Sequence, residues 1–207
     1  MRVGMYGGSF DPVHIGHVAT VVALAEAHLL DCVYIVPTST NPYKQHRPPI
    51  PAFHRVAMLK KAFQGLSYCK ILMIEAKSKN PSFTIDTLLA LKEQEFVTSE
   101  DELFFLMGED LVPEMHIWKR PEELVAIAQP LVAKRAGFEA HACKAAPEVV
   151  LAIKKGLTTT PLFDVSASEV RRRLSLGLFC GHLLQASVLN YIKKHSLYNV
   201  TSRNTRS

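Results

Sequence analysis

Short apolar runs alternate with longer amphipathic stretches along most of this chain, and that alternation limits its fold more than any other feature. Met1 to Tyr6, Cys32 to Val36, Ile71 to Ile74, Leu103 to Met107, Pro130 to Ala133 and Leu162 to Val165 have the length and composition of buried strands. Between them, helical periodicity runs over about His17 to Leu30, Ala52 to Gln64, Ile85 to Glu95, Pro121 to Ala128 and Pro147 to Lys155. Strands alternating with helices require right-handed crossovers. The expected class is therefore α/β, a doubly wound, mostly parallel, Rossmann-like sheet covered on both faces. After Val165 the pattern is helical only, over Ser168 to Leu176 and Leu184 to Lys194, which predicts a C-terminal helical appendage packed on the sheet. No repeat or linker divides the 207 residues, so a single domain is expected over 1–200, with 201–207 as a disordered polar tail.

Composition removes several function classes. No apolar run approaches the roughly 20 residues needed to span a bilayer, and the first residues lack a leader pattern, so a cytoplasmic protein with no membrane partner is expected. Cys32, Cys69, Cys143 and Cys180 stand far apart, with no CxxC pair and no Cys/His cluster at zinc-ligand spacing. They read as reduced thiols, and no protein-held metal site is indicated. The net charge of +5 falls to +3 without Arg203 and Arg206 of the tail, too small an excess to argue for nucleic acid.

In an open α/β sheet the ligand crevice lies beyond the carboxyl ends of the strands, where strand order reverses. The residues that follow the first strand are Gly7-Gly8-Ser9-Phe10-Asp11-Pro12-Val13-His14-Ile15-Gly16-His17. Gly7 and Gly8 allow backbone amides to approach a bulky anion, Asp11-Pro12 turns the chain, and His14 and His17 fall on one face of the opening helical turn. The string suits a phosphate site with two imidazoles added. It matches neither GxxxxGK[ST] nor GxGxxG. Zinc ligation by the two histidines lacks a third ligand and the HExxH spacing. A plain strand-to-helix turn whose histidines cap and pack is the structural alternative.

The string resembles the GxFDPxHxGH pattern of the HxGH nucleotidyltransferase superfamily, and His14 to His17 spell the HIGH motif shared with class I aminoacyl-tRNA synthetases. Near the other end, Val165-Ser166-Ala167-Ser168-Glu169-Val170-Arg171 is expected at a strand-to-helix junction, where Ser166 or Ser168 caps a helix and Arg171 lies one turn inside. It resembles the superfamily's ISSTxxR signature, with Ala167 for serine and Ser168 for threonine. By itself it reads equally as an N-cap followed by a solvated basic face.

Three further segments resemble the bacterial nicotinate mononucleotide adenylyltransferase family, and the matches run from Met1 to about Tyr191. Pro81-Ser82-Phe83-Thr84-Ile85-Asp86-Thr87-Leu88 is similar to the family's PSYTIDTL segment, which implies that amides around Phe83 and Thr84 hold the nicotinate ring and carboxylate. The same residues also read as an N-cap at Ser82 or Thr84 before a helix from Ile85. Phe105 to Leu111, with Gly108 and Asp110, and Trp118-Lys119-Arg120 resemble the family's GxD strand end and its substrate-stacking tryptophan. Trp118 reads equally as a core residue, and Asp110 as a helix N-terminal acid. Leu131 to Arg135 resembles a later strand ending in a basic pair. Where the family often has PPHK, this chain has Asn41-Pro42-Tyr43-Lys44, so Tyr43 replaces a histidine and His46 is a possible substitute.

The resemblance implies transfer of the adenylyl group of ATP to nicotinate mononucleotide, in NAD biosynthesis. It places His14 and His17 at the α and β phosphates, with Ser166, Ser168 and Arg171 at the β and γ phosphates. Gly7, Gly8, Ser9, Phe10 and Gly16 supply the backbone cradle, Gly108 and Asp110 complete the ATP site, and Lys44, Phe83, Thr84, Trp118 and Arg135 contact the mononucleotide. ATP is co-substrate, and magnesium arrives on the triphosphate. Phosphopantetheine adenylyltransferase shares both end motifs but is shorter and lacks the Pro81 to Leu88 and Trp118 features. A tRNA synthetase is disfavoured by the absence of a KMSKS-like loop, and a nucleic-acid-binding regulator by Arg171-Arg172-Arg173 being the only dense basic run. That run reads as one inward and two solvated arginines.

Overall fold

The computed structural model describes residues 1–38, 49–74, 83–135, 143–161 and 163–198. Tyr43, Lys44, His46, Pro81, Ser82 and the tail 201–207 lie outside the described residues. The strands are β1 (Arg2–Gly8), β2 (Cys32–Pro37), β3 (Cys69–Ile71), β4 (Glu102–Gly108), β5 (Gln129–Arg135) and β6 (Leu157–Thr160). The helices are α1 (Ile15–Ala27), α2 (Ala52–Ala62), α3 (Thr84–Glu93), α4 (Pro121–Ile127), α5 (Pro147–Lys155), α6 (Ala167–Ser175) and α7 (Ala186–Lys194). Every strand pair is parallel, and the order is β3-β2-β1-β4-β5-β6.

Strand periodicity of two distributes the apolar residues between two cores. Val33, Ile35, Phe104 and Leu106 pack with Val21 and Leu24 of α1, Met58 and Leu59 of α2, Val170 and Leu174 of α6, and Val188 and Ile192 of α7. Cys32, Tyr34, Val36, Leu103, Phe105 and Met107 face the opposite way, against Ile85, Leu88 and Leu91 of α3, Leu124 of α4, and Val149 and Ile153 of α5. Strands buried on both faces explain the unbroken apolar runs, and each fully buried large side chain contributes about 1.5–3 kcal/mol. The two C-terminal helices pack on the sheet as part of the first core, and Ser187 Oγ of α7 donates to the Lys61 carbonyl of α2 at 3.5 Å.

Two strands differ from the expectation, and both are at sheet edges. Of the expected Leu162 to Val165 the described part, 163–165, is loop, while Leu162 lies outside the described residues, and the sixth strand is Leu157–Thr160. Three consecutive threonines form it, since an edge strand pairs on one side and can be built from β-branched polar residues. Val165 is buried outside the sheet, packed on Gly16. The third strand is Cys69–Ile71 rather than Ile71 to Ile74, its ladder against Val33 to Ile35 continued only by Leu72 N–H donating to the Ile35 carbonyl. The 3₁₀ stretch Glu109–Ile117, interrupted by Pro113, has no counterpart in the sequence reading. Helix α3 begins at Thr84 with Phe83 as its N-cap, so Thr84 occupies the first turn and does not cap it.

The reversal of strand order lies between β1 and β4. Their pairing runs from Arg2–Glu102 to Met5–Phe105, and beyond it both strands continue to a glycine, Gly8 and Gly108. Counting on from Met5 and Phe105 places those two glycines level, at the mouth of the crevice that this topology creates.

Candidate active site

Beyond Gly8 the chain turns through Phe10, whose φ of +48° is left-handed, and a cis Asp11–Pro12 bond into α1. Phe10 is buried, and its ring lies edge-on to His17 with centroids 5.1 Å apart. His14 is the N-cap of α1, with extended backbone, and the two imidazoles stack at 3.6 Å and 28°. The His14 backbone N–H donates to His17 Nδ1 at 3.1 Å. A ring whose Nδ1 accepts carries its proton on Nε2, so His17 has a fixed tautomer with an Nε2–H to offer. Its ring is partly exposed, yet the protein packed round it, and then His14, hold its pKa well below the ordinary 6.5. His17 is therefore neutral near pH 7 and donates without adding a charge.

Helix α6 brings the second motif to the same place. Ser166 caps it by accepting the Glu169 N–H at 3.2 Å. Ser168 does not cap: its Oγ accepts from Arg171 Nη2 at 3.1 Å. Each hydroxyl keeps its O–H donor for another acceptor. The segment before Ser166 is loop rather than the expected strand end, and Val165 packs on Gly16. A Cβ at Gly16 would come within 2.8 Å of Val165 Cγ1 and 3.2 Å of His14 Nδ1. The glycine inside the histidine motif is thus the contact by which the start of α1 meets the start of α6.

Arg171 ties the two motifs together. Its Nη1 donates to the Asp11 carbonyl at 2.6 Å and stands 3.8 Å from Asp11 Oδ2, with the side chain 18% exposed. Its neighbours in the basic run are engaged locally, Arg172 with Glu169 at 2.7 Å and Arg173 with the Phe179 carbonyl at 3.2 and 3.0 Å. Arg172 is exposed and Arg173 half-buried with its guanidinium on the surface, so both turn outward, as expected, to different degrees.

Gly108 gives room to the exposed Asp110: a Cβ on Gly108 would clash with Asp110 Oδ1. Asp110 also stands in the first turn of the 3₁₀ stretch, so both readings of it describe one position. Further along, Lys119 joins two of the singled-out segments. Its Nζ lies 5.0 Å from the centre of the Phe83 ring and makes a 2.8 Å ion pair with Asp86. Trp118 is half-buried, its ring 6.4 Å from that of Phe105, so it borders the second core and keeps exposed surface. Arg135 closes β5, its backbone level with Thr160. Among the described residues no group of three or more His, Cys, Asp or Glu side chains is placed to hold a metal ion.

The residues that sequence reasoning missed are Arg55 and Tyr198. Arg55 Nη1 of α2 donates to the Ser9 carbonyl at 2.7 Å, and Tyr198 OH donates to Asp11 Oδ1 at 2.7 Å. No local signal announces them, because their partners lie 46 and 187 residues away.

The weight of the Gly16 contact can be measured. Gly16→Ala is expected to lower kcat about tenfold and stability by about 1–3 kcal/mol, the range for overpacking a filled interface. Combining it with Val165→Ala, which removes the opposing methyl group, is expected to restore most of the activity. An unaffected single variant, seen in turnover and thermal melting, would dismiss the contact.

A cytidylyltransferase-like family profile matches residues 5–173. A probable nicotinate-nucleotide adenylyltransferase of Thermomicrobium roseum is 34% identical over 95% of this chain and 91% of its own length. A nicotinate-nucleotide adenylyltransferase of Bacillus subtilis is 30% identical over 95% of this chain and 98% of its own. Among solved structures, the Plasmodium falciparum nicotinic acid mononucleotide adenylyltransferase complexed with APC superposes with a TM-score of 0.69 over 97% of this chain and 98% of that one, at 20% identity. The same enzyme complexed with NaAD gives the same score. The fold is shared with those structures, and with about a third of its residues common to proteins it matches nearly end to end, the chain belongs to the nicotinate-nucleotide adenylyltransferase family.

Proposed function

We propose that this protein transfers the adenylyl group of ATP to the 5′-phosphate of nicotinate mononucleotide, giving nicotinate adenine dinucleotide and pyrophosphate, as a step of NAD biosynthesis. The observation that carries this reading is the Gly16–Val165 contact, which joins a neutral, Nε2–H-bearing histidine to the N-terminus of α6 at one crevice. The whole unit over 1–200 works as one nucleotidyltransferase domain.

The nucleophile is already an anion, so no general base or covalent intermediate is required. A phosphate oxygen of the mononucleotide attacks the α-phosphorus in line, and the bond from that phosphorus to the β-phosphate bridging oxygen breaks. The protein supplies orientation and charge stabilisation. His17 Nε2–H and His14 serve the α and β phosphates, and amides of Gly7, Gly8, Ser9 and Phe10 cradle them. Gly16 keeps the two halves in contact. The hydroxyls of Ser166 and Ser168, the first amides of α6, and Arg171 serve the β and γ phosphates. Gly108 and Asp110, on the other side of the crevice, face the nucleoside of ATP. Magnesium enters as part of its triphosphate complex, a role that suits an ion that keeps several waters and seldom needs a dedicated protein cage.

The pyridine end is assigned to Phe83, Thr84 and Trp118, with Lys44 and Arg135 as further contacts. The first amides of α3 suit a carboxylate, and Trp118 offers a plane for the ring. The reading includes a cytoplasmic location without membrane or nucleic-acid partners. Its four cysteines are free thiols, and no described helix is long and apolar enough to cross a membrane.

One assay tests the reading: ATP and magnesium are supplied with nicotinate mononucleotide, nicotinamide mononucleotide or phosphopantetheine, and pyrophosphate release is followed. Nicotinate mononucleotide is expected to exceed the nicotinamide form in kcat/KM by about 10²-fold or more, since donor amides left unpaired penalise the analogue. Equal values would overturn the carboxylate assignment, and a response to phosphopantetheine alone would overturn the substrate.

A further inference from the structure

We propose that Tyr198, together with buried Arg55, is a positioning residue for adenylyl transfer: their hydrogen bonds to Asp11 and Ser9 fix the loop backbone that presents His17 and the cradle amides to the triphosphate. This rests on the reading given under Proposed function and adds to it a task for the C-terminal segment.

Neither side chain is placed to touch a ligand, since Arg55 is 1% exposed and Tyr198 9%. Among the described residues, Arg55 donates to two backbone carbonyls, Ser9 at 2.7 Å and Ile50 at 3.1 Å. Burying a guanidinium for stability alone is a poor choice, because an apolar side chain of similar volume does as well or better; what its planar fork supplies is direction. Asp11 is held from two further sides. Tyr198, beyond α7, donates to its Oδ1 at 2.7 Å, and Arg171 of α6 donates to its carbonyl at 2.6 Å. Three elements distant in sequence thus converge on two residues of one loop, Ser9 and Asp11.

The backbone carries a second, independent mark. Phe10 has φ +48° and Tyr198 φ +65°, both left-handed conformations that bulky residues seldom adopt. Such conformations persist where the surroundings over-determine them, and here they stand at the two ends of the same network. The link to chemistry is short. The Phe10 ring lies under Gly8, where a Cβ would meet it at 3.0 Å, and 5.1 Å from the His17 ring. Any shift of Ser9 to Asp11 therefore moves the imidazole and the amides together, and a misplacement of about 1 Å can cost about 10²-fold in rate.

The test is Tyr198→Phe, which keeps the ring and removes the hydroxyl. At a temperature well below its melting point, kcat is expected to fall about 10- to 10²-fold with a raised KM for ATP, while KM for nicotinate mononucleotide stays within about twofold. Tyr198→Phe combined with Asp11→Ala is expected to be no slower than Asp11→Ala alone, because the two act through one bond. Arg55→Lys keeps the charge without the fork and is expected to give the same split, so it carries the test should Tyr198→Phe not fold. A folded Tyr198→Phe with parental kcat, a loss that vanishes on cooling, or effects that multiply in the double variant would each overturn the proposal. If the parent releases no pyrophosphate from ATP and nicotinate mononucleotide, the adenylyl-transfer reading fails and takes this with it; an active parent beside an unaffected Tyr198→Phe removes this inference alone.

Discussion

Replacing His17 with alanine is expected to lower kcat by about 10²- to 10³-fold while the fold survives, the scale of losing one preorganised donor to a developing charge. The size follows from how the ring is held. Its Nδ1 is committed to the His14 N–H, its face to the His14 ring and its edge to Phe10, so Nε2–H needs no reorganisation when the transition state forms. The same contacts give a smaller stability effect, about 1 kcal/mol for a helix-start N–H left without its acceptor. That stability term depends on pH in a defined direction. Burial and His14 depress the folded-state pKa below 6.5, so the contribution is full above about pH 6.5 and is lost as the pH falls from there through the folded value. Turnover with saturating ATP and melting curves at pH 5 to 8 check both parts; near-parental kcat would remove His17 from the reaction.

Arg171→Ala is expected to lower kcat/KM for ATP by about 10²- to 10³-fold and to weaken pyrophosphate binding in the reverse direction. Two losses add here. On the proposed reading the guanidinium no longer serves the β and γ phosphates, and the Asp11 carbonyl, gripped at 2.6 Å in the parent, is left without that donor. An unsatisfied buried carbonyl costs about 1–3 kcal/mol, a fall of several degrees in melting temperature for a chain of this size. Arg171→Lys keeps the charge but cannot reach Asp11 and Ser168 at once, so it should fall between parent and alanine. Calorimetry with ATP and with pyrophosphate measures this. Unchanged affinity for both ligands would show that Arg171 serves only the loop.

Much of the fold was legible because its signals are local. A buried parallel strand must be apolar on both faces, and β1, β2, β4 and β5 are, so their runs were visible. Helix α5 matched residue for residue, since Pro147 opens it and Gly156 follows it. The edge strands were not legible. Thr158, Thr159 and Thr160 carry no apolar run, and the run that was visible, 162–165, includes a valine buried by another contact. The 3₁₀ stretch after Gly108 has too short a period and a proline within it to stand out.

The site divides in the same way. Residues 7–17 announce a phosphate loop because glycines, a turn and paired histidines are contiguous, and residues 166–171 announce a capped helix with an inward arginine. Only a resemblance joined them in the sequence. The structure replaces that with contacts: Val165 on Gly16, and Arg171 on Asp11. Trp118 was poised between core and site, and the structure gives it both a Phe105 neighbour and an exposed part.

The amino-acid order by itself determined the α/β class, the parallel sheet and the make-up of the two segments proposed to bind the triphosphate, because periodicity and turn residues act over a few positions. The tertiary structure alone decided that residue 16 lies against residue 165, and that the Ser9–Asp11 turn is gripped by Arg55, Arg171 and Tyr198. Those contacts exist because the chain crosses back from β3 to β4 on the far side of β1 and its last helices return to the first core. Proximity across 150 residues is set by strand order and packing, and no local pattern encodes it.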